Sequence, residues 1–72
     1  MDTIAVFRSR SEALKVFTAI KKRRIACSTI STPSALRLGC GISIVFAGTF
    51  KDVVSEIIKH ERAVSFVGFY EK

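Results

Sequence analysis

The chain has 72 residues, 49% hydrophobic and 25% charged, and twelve Lys+Arg against six Asp+Glu give a net charge of +6. That length holds one domain, residues 1–72, which buries roughly 60% of its unfolded surface; it excludes two lobes with an enzyme cleft between them. The apolar content excludes a disordered chain. Two cysteines are too few for a disulfide framework. With His60 as the only histidine, they cannot build a Cys/His zinc set either, so neither a metal nor a cofactor is expected.

Thr3 to Phe7 is a short run rich in β-formers and predicts a strand. Ser9, with Glu12 three residues on, has the spacing of a capping box. Ala13, Val16, Phe17 and Ile20 then recur at i, i+3, i+4 and i+7, one face of a helix over about residues 10–23. Lys21, Lys22, Arg23 and Arg24 close it, where cations favour the helix dipole.

Ile25 to Thr32 is β-branched but polar at Ser28, Thr29, Ser31 and Thr32, and predicts an edge strand ended by Pro33. Residues 33–40 form a loop. Ile42 to Phe46 is a strand apolar on nearly both faces. Gly48 breaks it, and Thr49 with Asp52 is expected to cap a second helix. Val53, Val54, Ile57 and Ile58 mark that helix to about His60. Val64 to Tyr70 is a last strand, with Gly68 as the expected bulge.

The order β-α-β-β-α-β is the split βαβ, ferredoxin-like α+β motif. It has four antiparallel strands in the order 4-1-3-2 and both helices on one face. The two continuous apolar runs fall on the central strands and the polar run on an edge, so pattern and topology agree.

Charge is uneven along this order. From Arg8 to Arg37 there are eight basic residues and a single acid, Glu12. The topology brings three segments to one end of the sheet: the turn at Arg8, Ser9 and Arg10, the 33–40 loop, and the turn after His60. Cys40 ends that loop, while Cys27 begins the second strand at the other end, roughly 16 Å away at ~3.3 Å per residue. A disulfide needs Cα atoms within about 7 Å, so none is expected between them. Cys27 reads as a small packed hydrophobe. Cys40 lies between Gly39 and Gly41, which leave its sulfur approachable. A helix N-terminus with Arg8, Arg10 and Arg37 nearby would favour the thiolate, and His60 is a further candidate to assist it.

Pro33-Ser34-Ala35-Leu36-Arg37-Leu38-Gly39-Cys40-Gly41-Ile42-Ser43-Ile44 resembles the signature of the selenium/sulfur carrier-like family of small bacterial proteins. That signature is a Pro, six residues, then Cys-Gly and a short apolar strand. The resemblance runs on through a leading strand, an Ala-rich helix that begins the basic segment, and a closing strand. It implies that Cys40 carries sulfur or selenium as a persulfide or selenopersulfide. Two features depart from it. Ser34 stands where the family commonly has Arg, and Arg37, Leu38 and Gly39 stand where it commonly has small hydroxyl residues.

A carrier needs a low thiol pKa, steric access and a docking surface, without a general base or a deep pocket. The chain is therefore not expected to be an enzyme. The resemblance implies a donor such as a cysteine desulfurase, and an acceptor. Two other readings stay open. One is nucleic-acid binding, with Lys21, Lys22, Arg23 and Arg24 against phosphates and aromatics on the sheet; no RNP-like pattern is present. The other is a protein-interaction module. Phe7, Val45, Val67 and Phe69 cannot all face the helices, so an open apolar sheet face would pair in a homodimer. The amino-terminal residues carry no export-signal pattern. No apolar run approaches the roughly 20 residues of a membrane span, so a cytoplasmic location is expected.

Overall fold

A computed structural model describes residues 2–32 and 41–71 of the chain. β1 covers Asp2–Phe7 and is buried from Thr3 onward. Side chains alternate across a strand: Ala5 and Phe7 face the helices, and Ile4 and Val6 face the other way. α1 follows over Arg10–Lys22. Ser9 has extended backbone and its Oγ accepts from Glu12 N at 3.3 Å, so one half of the predicted capping box is formed. The other half is not. The Glu12 carboxylate accepts from Ser65 N at 2.8 Å instead of reaching back to Ser9.

α1 buries Ala13, Val16 and Ile20 at helical spacing. Its end is tight: Arg23 N donates to Ile20 O at 3.1 Å, and Arg24 turns left-handed at φ 60°. That turn sends Ile25 into the core ahead of the strand, which is why β2 begins only at Cys27 and covers Cys27–Ser31. β3 covers Ile42–Ala47.

The second helix starts differently from expectation. A 3-10 turn at Gly48–Phe50 leads into α2 at Lys51–His60, and no side chain caps either. Thr49 and Asp52 are thus not its cap; the continuous 3-10 turn supplies the preceding backbone instead. α2 buries Val54, Ile57 and Ile58, while Val53 is exposed. β4 covers Phe66–Glu71.

The strands form one antiparallel sheet in the order β2-β3-β1-β4. This is the expected ferredoxin-like α+β layout. Ile44 pairs with Ala5 on one side and Thr29 on the other. Against β4 the register runs Val6 to Gly68, then Phe7 to Phe66. The extra residue is therefore Val67, and the bulge lies beside Gly68, not on it.

One core lies between sheet and helices and contains Phe7, Val16, Ile20, Ile44 and Val54, with Phe66 and Phe69 packed against it. Phe66 lies between two rings, 5.4 Å from Phe7 and 4.9 Å from Phe69 by centroid. A second cluster occupies the other sheet face: Ile4, Val6 and Val45, with Ile30, Val67 and Tyr70 around them. Phe7 and Phe69 thus face the helices and Val45 and Val67 do not. The centre of the outer face is closed. Ile4, Val6 and Val45 are at most 8% exposed. Among the described residues, the large apolar side chains that stay exposed are Leu14, Phe50, Val53 and Val64, none of them in a strand. The centre of the outer face is thus buried, while Ile30, Val67 and Tyr70 around it are half-buried.

Candidate functional site

Three residues of the expected carrier site, Arg37, Gly39 and Cys40, lie outside the described residues, as does the rest of 33–40. The flanks on either side of that segment are described. Gly41 has φ +91°, and a Cβ built on it would meet nothing within 4 Å. Glycine is therefore required for backbone conformation and not for space. Its carbonyl accepts from Thr32 N at 3.0 Å. Two residues further along the chain, in β3, Ser43 Oγ lies 2.7 Å from Thr32 Oγ1, and Ser43 is fully buried. The two flanks are thus joined twice, once through backbone and once through hydroxyls, at the same end of the β2–β3 pair.

The start of α1 meets this end. Arg10, its first residue, lines a surface hollow with Thr29, Ile30, Ser31, Gly41 and Ile42. One cation from the expected set is therefore beside the residue that follows Cys40. Arg8 is placed differently: its N–H donates to Ser65 O at 2.9 Å, on the β4 side of β1, and its side chain is exposed. The Glu12 carboxyl is held below the usual carboxylate range by the Ser65 hydroxyl first and the Ser65 N–H second. The buried hydroxyl does not complete a hydrogen bond of full geometry, so the N–H at 2.8 Å is the defined contact.

His60 is not brought to Arg10 and Gly41. It shares a hollow with Ala19, Lys22, Arg23, Ile57 and Glu61. Ala19 follows Arg10 by nine positions, which is about 13 Å along a helix rising 1.5 Å per residue. The His60 ring is exposed, with Nδ1 3.4 Å from Glu61 Oε2. The tertiary structure therefore groups His60 with the basic end of α1.

Lys21 to Arg24 are all exposed. Lys21 Nζ lies over the Phe17 ring at 5.4 Å, whereas Lys22 and Arg23 turn to the hollow shared with His60. The aromatics that a nucleic-acid reading requires are mostly withdrawn: Phe66 and Phe69 pack on the helix side, and Tyr70 lies with the outer-face cluster.

Cys27 has a free, half-buried thiol packed against the core. Burial pushes its pKa up, and Lys21 offsets this only in part. A thiol held protonated is a poor nucleophile, which fits a packing role for Cys27. Among the described residues, no three His, Cys, Asp or Glu side chains are grouped to hold a metal ion. No described helix is long and apolar enough to cross a membrane.

Sequence reasoning placed Arg10 near the loop but missed two contacts of the elements around it. These are the bond from Ser65 N to Glu12 and the hydroxyl pair of Thr32 and Ser43. Glu12 carried a signal, as the only acid in the basic half, but local spacing pointed it at its own helix.

No curated protein and no solved structure matches the chain. A family model described as "Putative Se/S carrier protein-like" matches residues 2–71, nearly the whole length and the full span of the Pro-to-Cys-Gly signature. The chain therefore belongs to the selenium/sulfur carrier-like family.

Proposed function

We propose that the chain is a non-catalytic carrier whose Cys40 thiol accepts a sulfur or selenium atom from a donor protein and passes it on. The observation that carries this reading is the family match over residues 2–71; Cys40-Gly41 is taken as the family's Cys-Gly from the resemblance of the Pro33-to-Ile44 segment. The required left-handed conformation at Gly41 and the cation of Arg10 beside it support the reading.

The transfer needs no cofactor. The Cys40 thiolate attacks the outer sulfur of a donor persulfide. A new S–S bond forms, the donor's S–S bond breaks, and the donor leaves as a thiolate; the transferred sulfur keeps its own proton, so Cys40 becomes Cys–S–SH. Attack on that outer sulfur by an acceptor thiolate reverses the loading and leaves Cys40 as a thiolate. A cysteine desulfurase is a donor of the right chemistry.

The test is intact mass spectrometry after incubation with a cysteine desulfurase and cysteine. The wild-type protein should gain one sulfur atom. The adduct should be lost in Cys40→Ser and kept in Cys27→Ser. An adduct that persists in Cys40→Ser, or a wild type that stays unloaded by both a desulfurase and a small-molecule persulfide, would sink the reading.

A further inference from the structure

α1 and β2 lie side by side and run in opposite directions. At one end Arg10 shares a hollow with Thr29 and Ser31. At the other, Lys21 is near enough to act on the Cys27 thiol. Between these cations α1 presents Leu14, 40% exposed, and the partly buried Phe17, on whose ring Lys21 rests. Arg10, Leu14, Phe17 and Lys21 are spaced i, i+4, i+7 and i+11, so they form one stripe of the helix. The stripe is about 16 Å long at 1.5 Å per residue. β2 alongside it is about 13 Å long at ~3.3 Å per residue.

β2 is an end strand of the sheet, and among the described residues no strand lies beyond it. Among the described residues it lacks the charge, proline and bulge that commonly protect an edge. Cys27-Ser28-Thr29-Ile30-Ser31 contains no charge and no proline, and its register with β3 is unbroken. The other edge, β4, is protected by the irregularity at Val67 and by Glu71. An unprotected edge next to a stripe that is cationic at both ends and apolar in the middle has a definite complement. Glu12, the one acid on α1, is engaged with Ser65 and does not neutralise the stripe.

We propose that the β2 edge and the Arg10–Lys21 stripe together form a docking groove for an extended acidic segment of a partner protein, which adds to the sheet as a fifth strand. Its main chain pairs with β2. Its side chains alternate, so those on the helix side meet α1, with acids opposite Arg10 and Lys21 and an apolar residue opposite Leu14 and Phe17. Charge decides against a second copy of this chain as occupant. Each copy carries +6, and pairing β2 with β2 would bring two cationic stripes together.

The proposal does not depend on sulfur chemistry and is tested on the Cys40→Ser protein, which cannot be loaded there. Amide chemical shifts are followed during titration with a capped peptide Glu-Thr-Val-Thr-Glu, whose acids and valine fall on one face of a strand. Saturable shifts are expected at Cys27 to Ser31 and weaken as salt is raised. They should be lost in Arg10→Glu/Lys21→Glu, whose remaining amides should stay in place because both side chains are exposed. Four results would overturn the groove. They are an absence of shifts in β2 at millimolar peptide, equal binding of Lys-Thr-Val-Thr-Lys, a single-stranded oligonucleotide taking the β2 shifts in place of the peptide, and sedimentation as a dimer with β2 amides protected.

Discussion

Thr32 and Gly41 are hydrogen-bonded through their backbones at 3.0 Å although eight residues separate them in the chain. The contact closes the base of the segment that carries Cys40, and it depends on Gly41 holding φ +91°. An L-residue pays a steric cost there even with open space around its Cβ. Gly41→Ala is therefore expected to destabilise the domain by about 1–3 kcal/mol, read as a lower urea midpoint at unchanged m-value. Gly68→Ala is the comparison: its Cβ would have ordinary contact with Tyr70 at 3.7 Å and no positive φ to oppose it. Equal midpoints for Gly41→Ala and wild type would remove the conformational argument.

Cys27 should react slowly. Its thiol is partly desolvated and its pKa is raised, so little thiolate exists near neutral pH. In Cys40→Ser protein, alkylation by iodoacetamide at pH 7.5 should be slower than that of free cysteine and should accelerate once urea unfolds the chain. Labelling of the folded protein at the free-cysteine rate would show Cys27 to be an available nucleophile.

The contact of Glu12 with Ser65 predicts a pH dependence. The folded-state pKa of Glu12 is lowered, so the folded state binds fewer protons than the unfolded state through that range. Its contribution is fully present above the ordinary carboxylate range, near pH 4–5 or about 4.3 for Glu, and is lost as pH falls through the folded value. Thermal midpoints should fall on acidification from pH 6 to pH 3. Glu12→Gln should have a lower midpoint than wild type at pH 6, and the two should converge at low pH. A gap between them that widens towards low pH has the wrong sign for this account.

Two positions on α1 separate packing from exposure. Ile20 is fully buried between helices and sheet. Ile20→Ala should cost about 2–5 kcal/mol, a large share of the ~5–15 kcal/mol available to a small domain. Leu14, 40% exposed on the same helix, should change stability by less than about 0.5 kcal/mol when replaced by Ala. Chemical denaturation of the two variants in parallel measures the difference. Similar losses at both sites would mean that the Leu14 face is covered in solution.

The cap at Ser9 gives a local counterpart. Ser9 Oγ satisfies one N–H of the first turn, and Ser9→Ala should cost about 1 kcal/mol. Ser9→Asp should recover it, because a carboxylate accepts the same bond and favours the positive end of the helix. Failure of Asp to restore the denaturation midpoint would indicate that Ser9 acts through Ser11, whose hydroxyl lies 3.0 Å away.

Periodicity determined the elements of this protein. The continuous apolar runs at Thr3–Phe7 and Ile42–Phe46 marked strands buried on both faces, and the 3.6-residue spacing of Ala13, Val16 and Ile20 marked the buried face of α1. The polar character of Cys27–Ser31 likewise marked β2 as an edge, and the Cys-Gly signature marked the family. Meetings between distant residues were decided only in the tertiary structure, because they depend on how α1 and α2 lie across the sheet. Glu12 had the spacing for its own helix cap, yet Ser65 N, 53 residues on, lies within 2.8 Å and takes its carboxylate. Strand order alone puts His60 at the loop end, whereas the packing of the helices places it beside Lys22 and Arg23. The +6 of the sequence was a sum over residues; folding divided it between the hollow at Arg10 and Gly41, the Phe17–Lys21 contact and the cluster around His60.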